Sequence, residues 1–245
     1  RAKCNLYDIG CEVALAARWP GRIPPGRAVD DAINLMDLAP TFMDAAGVAI
    51  PDSMTGRSLL PVFESADSGL VDASRTFVVL GRERHVAAAR EGHLPYPQRA
   101  MRTKDFLYIY NFAPDRWPAG DPAGLDDPMA AAPSFDELRQ DTFVAYADMD
   151  AGPTKAWMIH HRAEEDIQPL FELGFGKRPQ QELFDLRVDP HYMHNVAKDP
   201  KYANDCKQLH ERLMQVLHEQ NDPRLLEPNC RFERQPYISA PQNNL

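Results

Sequence analysis

The feature that most constrains this chain is a pair of short runs, residues 98–102 and 106–111, separated only by Thr103-Lys104-Asp105. Phe106, Tyr108 and Tyr110 alternate with Leu107 and Ile109, the two-residue period of a pleated strand, so the pair reads as a hairpin with one aromatic face. Its flanks supply further layers. Residues 76–80 are apolar and β-prone, and Glu182-Leu183-Phe184-Asp185-Leu186 reads as a fourth short strand before Asp189-Pro190 turns the chain away. From Asp199 the apolar spacing changes from two to about 3.6. Asp199 is a cap, Pro200 suits the first helical position, and Tyr202, Cys206, Leu209, Leu213 and Leu217 form a stripe that should lie on the sheet. Four antiparallel strands crossed by one helix is the expected core of an α/β chain.

Upstream, residues 34–61 read as a small amphipathic helix followed by an anchored loop. Asp37 is expected to cap the helix, Leu38, Phe42 and Ala45 or Ala46 fall on one face, and Gly47 stops it. Pro51-Asp52 opens a turn, Gly56 is expected to supply a positive φ, and Arg57-Ser58-Leu59-Leu60-Pro61 begins a second buried element. Residues 13–19 form an apolar run of strand length closed by Pro20-Gly21 and are expected to be a buried strand. Gly10 is taken to break the polar segment before it. Residues 64–74 are polar and small, which sets a boundary between residues 1–70 and 71–245. Ser134 to Glu137 fits a capping box, and Thr154 is a second cap candidate for a helix through Trp157 and His161. Residues 221–245 are expected to wrap as extended chain.

Composition removes several classes. With 245 residues, 44% of them hydrophobic, the chain can fold around a sizeable core, and a net charge of -9 argues against binding to nucleic-acid backbone. No apolar run reaches membrane-spanning length, and no leader pattern is visible. Twenty-two prolines concentrate in connections, where long ordered loops are expected. Cys4, Cys11, Cys206 and Cys230 have no zinc spacing; a Cys206–Cys230 disulfide is open, with free buried thiols the favoured state.

The residues 34–61, including DLAPTFMDAAG and GRSLLP, resemble a phrase near the end of the large domain of sulfatases. Residues 3–21, a basic residue followed by NLYDIG and then RWPG, and residues 182–202, ELFDL to DP and Tyr, resemble other sulfatase phrases. The YPQRAMRTKDFLYIYNF segment resembles the heparan N-sulfatase (sulfamidase) branch and its bacterial relatives. The resemblance implies the C-terminal part of a sulfatase fold: residues 1–70 as the last elements of the large α/β domain, and residues 71–245 as a small subdomain with a four-stranded antiparallel sheet and a packed helix.

It also implies chemistry. Lys3 falls where the family places a cation on the sulfate group, and a fixed ammonium there would offset charge that builds on the sulfuryl oxygens. Arg84 and His85 close a charged strand end in the subdomain that borders the family's substrate cleft, and are the substrate-binding candidates; a surface pairing with Glu83 is the alternative. The family uses a formylglycine nucleophile and one calcium ion, and neither the nucleophile motif nor the acidic metal ligands occur in these residues. Calcium is expected in an upstream part, with none bound by this chain. Because the sequence opens on Arg1-Ala2-Lys3 in mid-pattern, it is read as a fragment whose partners are the N-terminal part of the same enzyme and a sulfated sugar or other sulfated small molecule, in a periplasmic or extracellular setting. Alone it is expected to be inactive.

Other residues carry weaker expectations. Arg99 reads as a structural cation between strands. His93 has a weak claim on the cleft, His160-His161 and His191 with His194 a weak one on a metal. Tyr108, Tyr110, Phe112 and Trp117 are assigned to core before sugar stacking. Two other functions stay open: a phosphoryl-transferring hydrolase of the same superfamily, and a noncatalytic glycan-binding module.

Overall fold

A computed structural model describes residues 3–234; of the extended course expected for residues 221–245, the described part instead forms helical turns at Pro223–Leu226, capped by Asp222, and at Arg231–Glu233, and the rest lies outside the described residues. The sheet has the order β1 (Phe77–Arg82), β2 (Gln98–Thr103), β3 (Phe106–Asn111) and β4 (Gln181–Asp185), antiparallel throughout. Its register explains why both faces are apolar. Val79, Met101, Tyr108 and Leu183 lie opposite one another in one row, and Leu80, Ala100, Ile109 and Glu182 in the next, pointing the other way.

The first face is covered by α7 (Ala203–Glu219), whose Cys206, Leu213, Val216 and Leu217 pack with Tyr202 onto Met101, Tyr108 and Leu183. Asp199 accepts from the Lys201 backbone N–H at 2.9 Å, so the expected cap is present one short 3-10 turn before α7. The second face is covered from the chain's start: Leu6 and Tyr7 pack with Tyr192 on Ala100, Leu107, Ile109 and Phe184. Tyr7 also donates to Glu182 at 2.7 Å, which fixes residues 3–7 against the sheet. Next to it a single helical turn, α1 (Asp8–Cys11), contains Gly10, so that glycine breaks nothing.

A third core lies in the long excursion between β3 and β4. There α4 (Phe135–Gln140), α5 (Pro153–His160) and α6 (Gln168–Phe175) enclose Leu138, Tyr146, Ile159, Phe171 and Phe175. Ser134 and Glu137 form the expected capping box. Thr154 does not cap α5; Gly152 takes that position and Pro153 the first helical one, so Thr154 sits inside the first turn.

Residues 12–58 depart furthest from expectation. The predicted strand at 13–19 does not form: that stretch has no regular structure, and Val13 is 60% exposed. A strand needs a ladder partner for its backbone groups, and an apolar composition alone does not provide one. The helix α2 (Leu38–Ala45) exists and ends before Gly47 (φ 68), but it buries Pro40 and Thr41 and leaves Phe42 66% exposed. Asp37 makes no side-chain cap on α2; it closes a capping box one turn earlier, accepting from the Asn34 N–H at 3.3 Å while Asn34 accepts from the Met36 N–H at the head of a 3-10 turn.

Asp37 is instead a buried anchor. Its two oxygens accept from the Arg57 backbone N–H and the Arg75 guanidinium, each at 2.8 Å, and Arg75 also donates to the carbonyls of Arg57 and Ser58. That clamp delivers Leu59 and Leu60 into α3 (Leu60–Glu64), where they are buried. Gly56 is required for close approach, not for a positive φ. A Cβ there would lie 2.3 Å from the Met36 carbonyl oxygen.

Candidate functional site

The site forms at the sheet end where β1 stops and β2 starts. Arg82, Gln98 and Asn111 stand opposite one another there, two residues beyond the Leu80 row and therefore on the Tyr7 face. Gln98 donates to Asn111, and Asn111 to Glu182, at 2.7 and 2.9 Å. Arg82 is buried and turns to Asp148, donating to Oδ2 at 2.7 Å; the Arg90 guanidinium shares the same oxygen. Both arginines also donate to the Pro118 carbonyl and lie over the Tyr96 ring, 5.6 Å from its centroid. Two buried guanidinium groups thus share one carboxylate, while the buried Glu182 carboxylate, held by Asn111 and Tyr7, lies at the same end of the sheet.

The second oxygen of Asp148 accepts from the Val86 backbone N–H at 2.9 Å. This bond holds the loop after β1, which carries Arg84 and His85. Arg84 is half-buried and its Nε donates to the His93 carbonyl at 2.9 Å. His85 is exposed. Glu83 just before them is held by Arg99 and Arg224, and Arg99 also grips Asp222 with bonds of 2.6 and 3.0 Å. Arg99 is thus a cation tying strand to C-terminal chain, and Gly81 leaves the space its side chain crosses.

Two residues beyond Asp148, Asp150 accepts from Lys3 Nζ at 2.7 Å, with both side chains more than 60% exposed. The pairing holds the Asp150 carboxyl below the usual range and the Lys3 ammonium above it; His85 is close enough to add to the first effect. Cys4, at φ 69, lies within the field of Arg82, Lys3, Asp148 and Asp150, but burial pushes its thiol up, away from a reactive thiolate. Lys3 and the loop that carries His85 are therefore both fastened to one short segment, Lys3 through Asp150 and the loop through the Val86 bond to Asp148. One of the three ammonium donors of Lys3 is used, and the rest face solvent.

Sequence reasoning singled out Lys3, Arg84 and His85 but missed Asp148, Asp150, Arg90 and the inward turn of Arg82. Only the last had a legible signal, since Arg82 keeps the alternation of Leu80 and so points to the covered face. The aromatic residues considered for sugar stacking are packed. Tyr108 is buried under α7 with Tyr110 and Phe112 against the same cluster, and Trp117 packs edge-on to Tyr146. All four cysteines are free.

Among the described residues no group of three or more His, Cys, Asp or Glu side chains could hold a metal ion, so these side chains do not fit a calcium site. Among them, too, no helix is long and apolar enough to cross a membrane.

The chain is similar to the C-terminal portions of sulfatases. A family described as N-sulphoglucosamine sulphohydrolase, C-terminal, matches residues 2–78. An ulvan-active sulfatase of Formosa agariphila is 26% identical over 220 residues, covering 90% of this chain and 36% of its own length. Human N-sulphoglucosamine sulphohydrolase is 25% identical over 232 residues, 86% of this chain and 39% of its own. The chain thus spans less than two-fifths of these relatives. A protein solved in complex with its substrate, D-glucosamine-2-N,6-O-disulfate, is similar at a TM-score of 0.43 and 21% identity, over 78% of this chain and 25% of that one.

Proposed function

We propose that the protein to which this chain belongs hydrolyses sulfate esters or N-sulfates of sugars, and that these residues form one wall of its pocket. The observation that carries the reading is that Lys3 and the Arg84–His85 loop are fastened to neighbouring carboxylates, Asp150 and Asp148, beside the buried Arg82–Arg90 pair. A sulfuryl group spreads negative charge over its oxygens, so a pocket for it needs fixed donors and net positive field. The free donors of Lys3 face the sulfate; Arg84 and His85 face the sugar. Calcium and the nucleophile belong to residues outside this chain, and the setting is periplasmic or extracellular, as suits sulfated polysaccharide.

On this reading residues 1–70 belong to the larger α/β domain and residues 71–245 to the smaller one. Exposed Val13, Leu15, Phe42 and Val48 support that division, because the N-terminal part of the same enzyme would cover them.

The test is turnover by the whole protein, offered a sulfated chromogenic ester beside the matching phosphate ester. Lys3→Met is expected to lower sulfate release about 10²–10³-fold, the usual cost of one lost oxyanion donor. Undiminished turnover in Lys3→Met, or preference for the phosphate ester, would overturn the reading.

A further inference from the structure

One buried charge near this site touches none of its exposed side chains. Lys155, on α5, is 3% exposed. Its Nζ donates to the carbonyls of Thr142, Tyr146 and Met149 at 3.1, 3.3 and 2.9 Å. Three donors of one ammonium thus gather three points of the segment that runs from the end of α4 to the start of α5. That segment carries Asp148, which fastens Arg82, Arg90 and the Val86 N–H, and Asp150, which fastens Lys3. The Thr142 hydroxyl closes it by accepting from the Ala151 N–H at 3.0 Å.

We infer that Lys155 is the positioning residue of the site: its ammonium sets the course of residues 142–150 and, through Asp148 and Asp150, the placement of Lys3 relative to the Arg84–His85 loop. The geometry stands apart from the sulfate reading, whereas the effect on ligand rests on that reading. A hydrophobic side chain of similar length would fill the same space but leave three carbonyls without a donor, and the loop would be free to move.

The charge is held against a penalty. Burial takes the Lys155 ammonium down to about 8, although Asp141 at the end of α4 and Asp150, the charged groups that face it, pull the other way. The three-donor clamp is therefore complete at neutral pH and gives up its charge and one of its three donors as pH rises through about 8. The unfolded chain keeps this proton to the ordinary lysine range, so the contribution of this group to global stability increases over the same interval. Loosening of the site is thus separable from unfolding. Lys3, held up by Asp150, stays charged throughout.

The experiment follows backbone amide resonances of the 245-residue chain from pH 6.5 to 9.5, with the whole protein's affinity for glucosamine N-sulfate as the second readout. Val86 and Ala151 are expected to titrate together with a midpoint near 8, with no fall in melting temperature, and affinity should drop several-fold across the same midpoint. Lys155→Arg, whose cation keeps its proton, should abolish that titration, and Lys155→Met, which removes every donor, should shift the same amides at pH 7 in the direction that high pH shifts them. Amides that stay flat near pH 8 in the unmodified chain, or titrate identically in Lys155→Arg, overturn the proposal even if Lys155→Met fails to fold. Amide coupling without glucosamine N-sulfate binding by the whole protein at any pH upholds Lys155 in its role and removes the sulfate reading instead.

Discussion

Residues 12–58 and residues 77–219 are held together by different means. The second region has a sheet buried on both faces and a separate aromatic cluster under α4, α5 and α6, so its apolar side chains find one another within the chain. The first region leaves Val13, Leu15, Leu35, Phe42 and Val48 exposed and is fastened by polar contacts: Asp37 to Arg57 and Arg75, and Asp31 to the backbone N–H groups of Val71 and Asp72 at 2.8 and 2.7 Å. A few directional bonds can fix the path of a loop. They do not bury enough surface to make it independently stable.

The contrast is broken most forcefully at Arg75. Replacing it with Met leaves Asp37 as an uncompensated buried charge, a change that costs about 3–5 kcal/mol where such pairs are removed. The expected result is local: limited proteolysis should open residues 30–60 of Arg75→Met while the sheet resists cleavage. Simultaneous loss of the sheet would mean that the two regions unfold as one cooperative unit.

The same contrast explains what was legible in the sequence. The strands could be read because alternation reports a two-faced environment, and β2 and β3 have apolar residues on both faces. Residues 13–19 are as apolar as a strand, yet composition carries no information about whether a partner lies beside them. Phe42 misled for the same reason: helical spacing finds a stripe but not the surface that covers it. Gly56 has no positive φ, contrary to expectation; its need for glycine comes from the Met36 carbonyl, a close approach that leaves no local trace in the sequence. Within the site, Lys3, Arg84 and His85 stood out through resemblance and charge. The Arg82–Arg90–Asp148 cluster did not, because its members lie 58 and 66 residues apart and only the closed fold brings them together.

Acid sharpens the comparison from the other side. Asp185, at the end of β4, accepts from Arg187 at 2.7 and 2.8 Å and from the Tyr202 hydroxyl at 3.0 Å. The Arg187 bond, with the Tyr202 bond adding to it, outweighs burial and holds its carboxyl at about 2. A carboxylate lowered on folding contributes stability that is complete above its unfolded value and disappears as pH falls through the folded one. Melts between pH 5 and 2 should therefore show a loss confined mainly to the interval below about 4, and Arg187→Met should flatten it. An unchanged acid slope in Arg187→Met would remove Asp185 from the account.

The smallest effect is expected at Phe42, and it bears most directly on the difference between the regions. A phenylalanine of a helix in a finished core costs about 3–5 kcal/mol when truncated, because contacts and transfer free energy go together. Phe42 is mostly solvated already, so Phe42→Ser in this chain should change the melting temperature little, within the about 0.5 kcal/mol typical of surface changes. In the whole protein the same substitution should cost several times more if the N-terminal part covers α2. Equal effects in the two settings would mean that this ring faces water in both, and that the apolar side chains of residues 12–58 are not an interface for the rest of the protein.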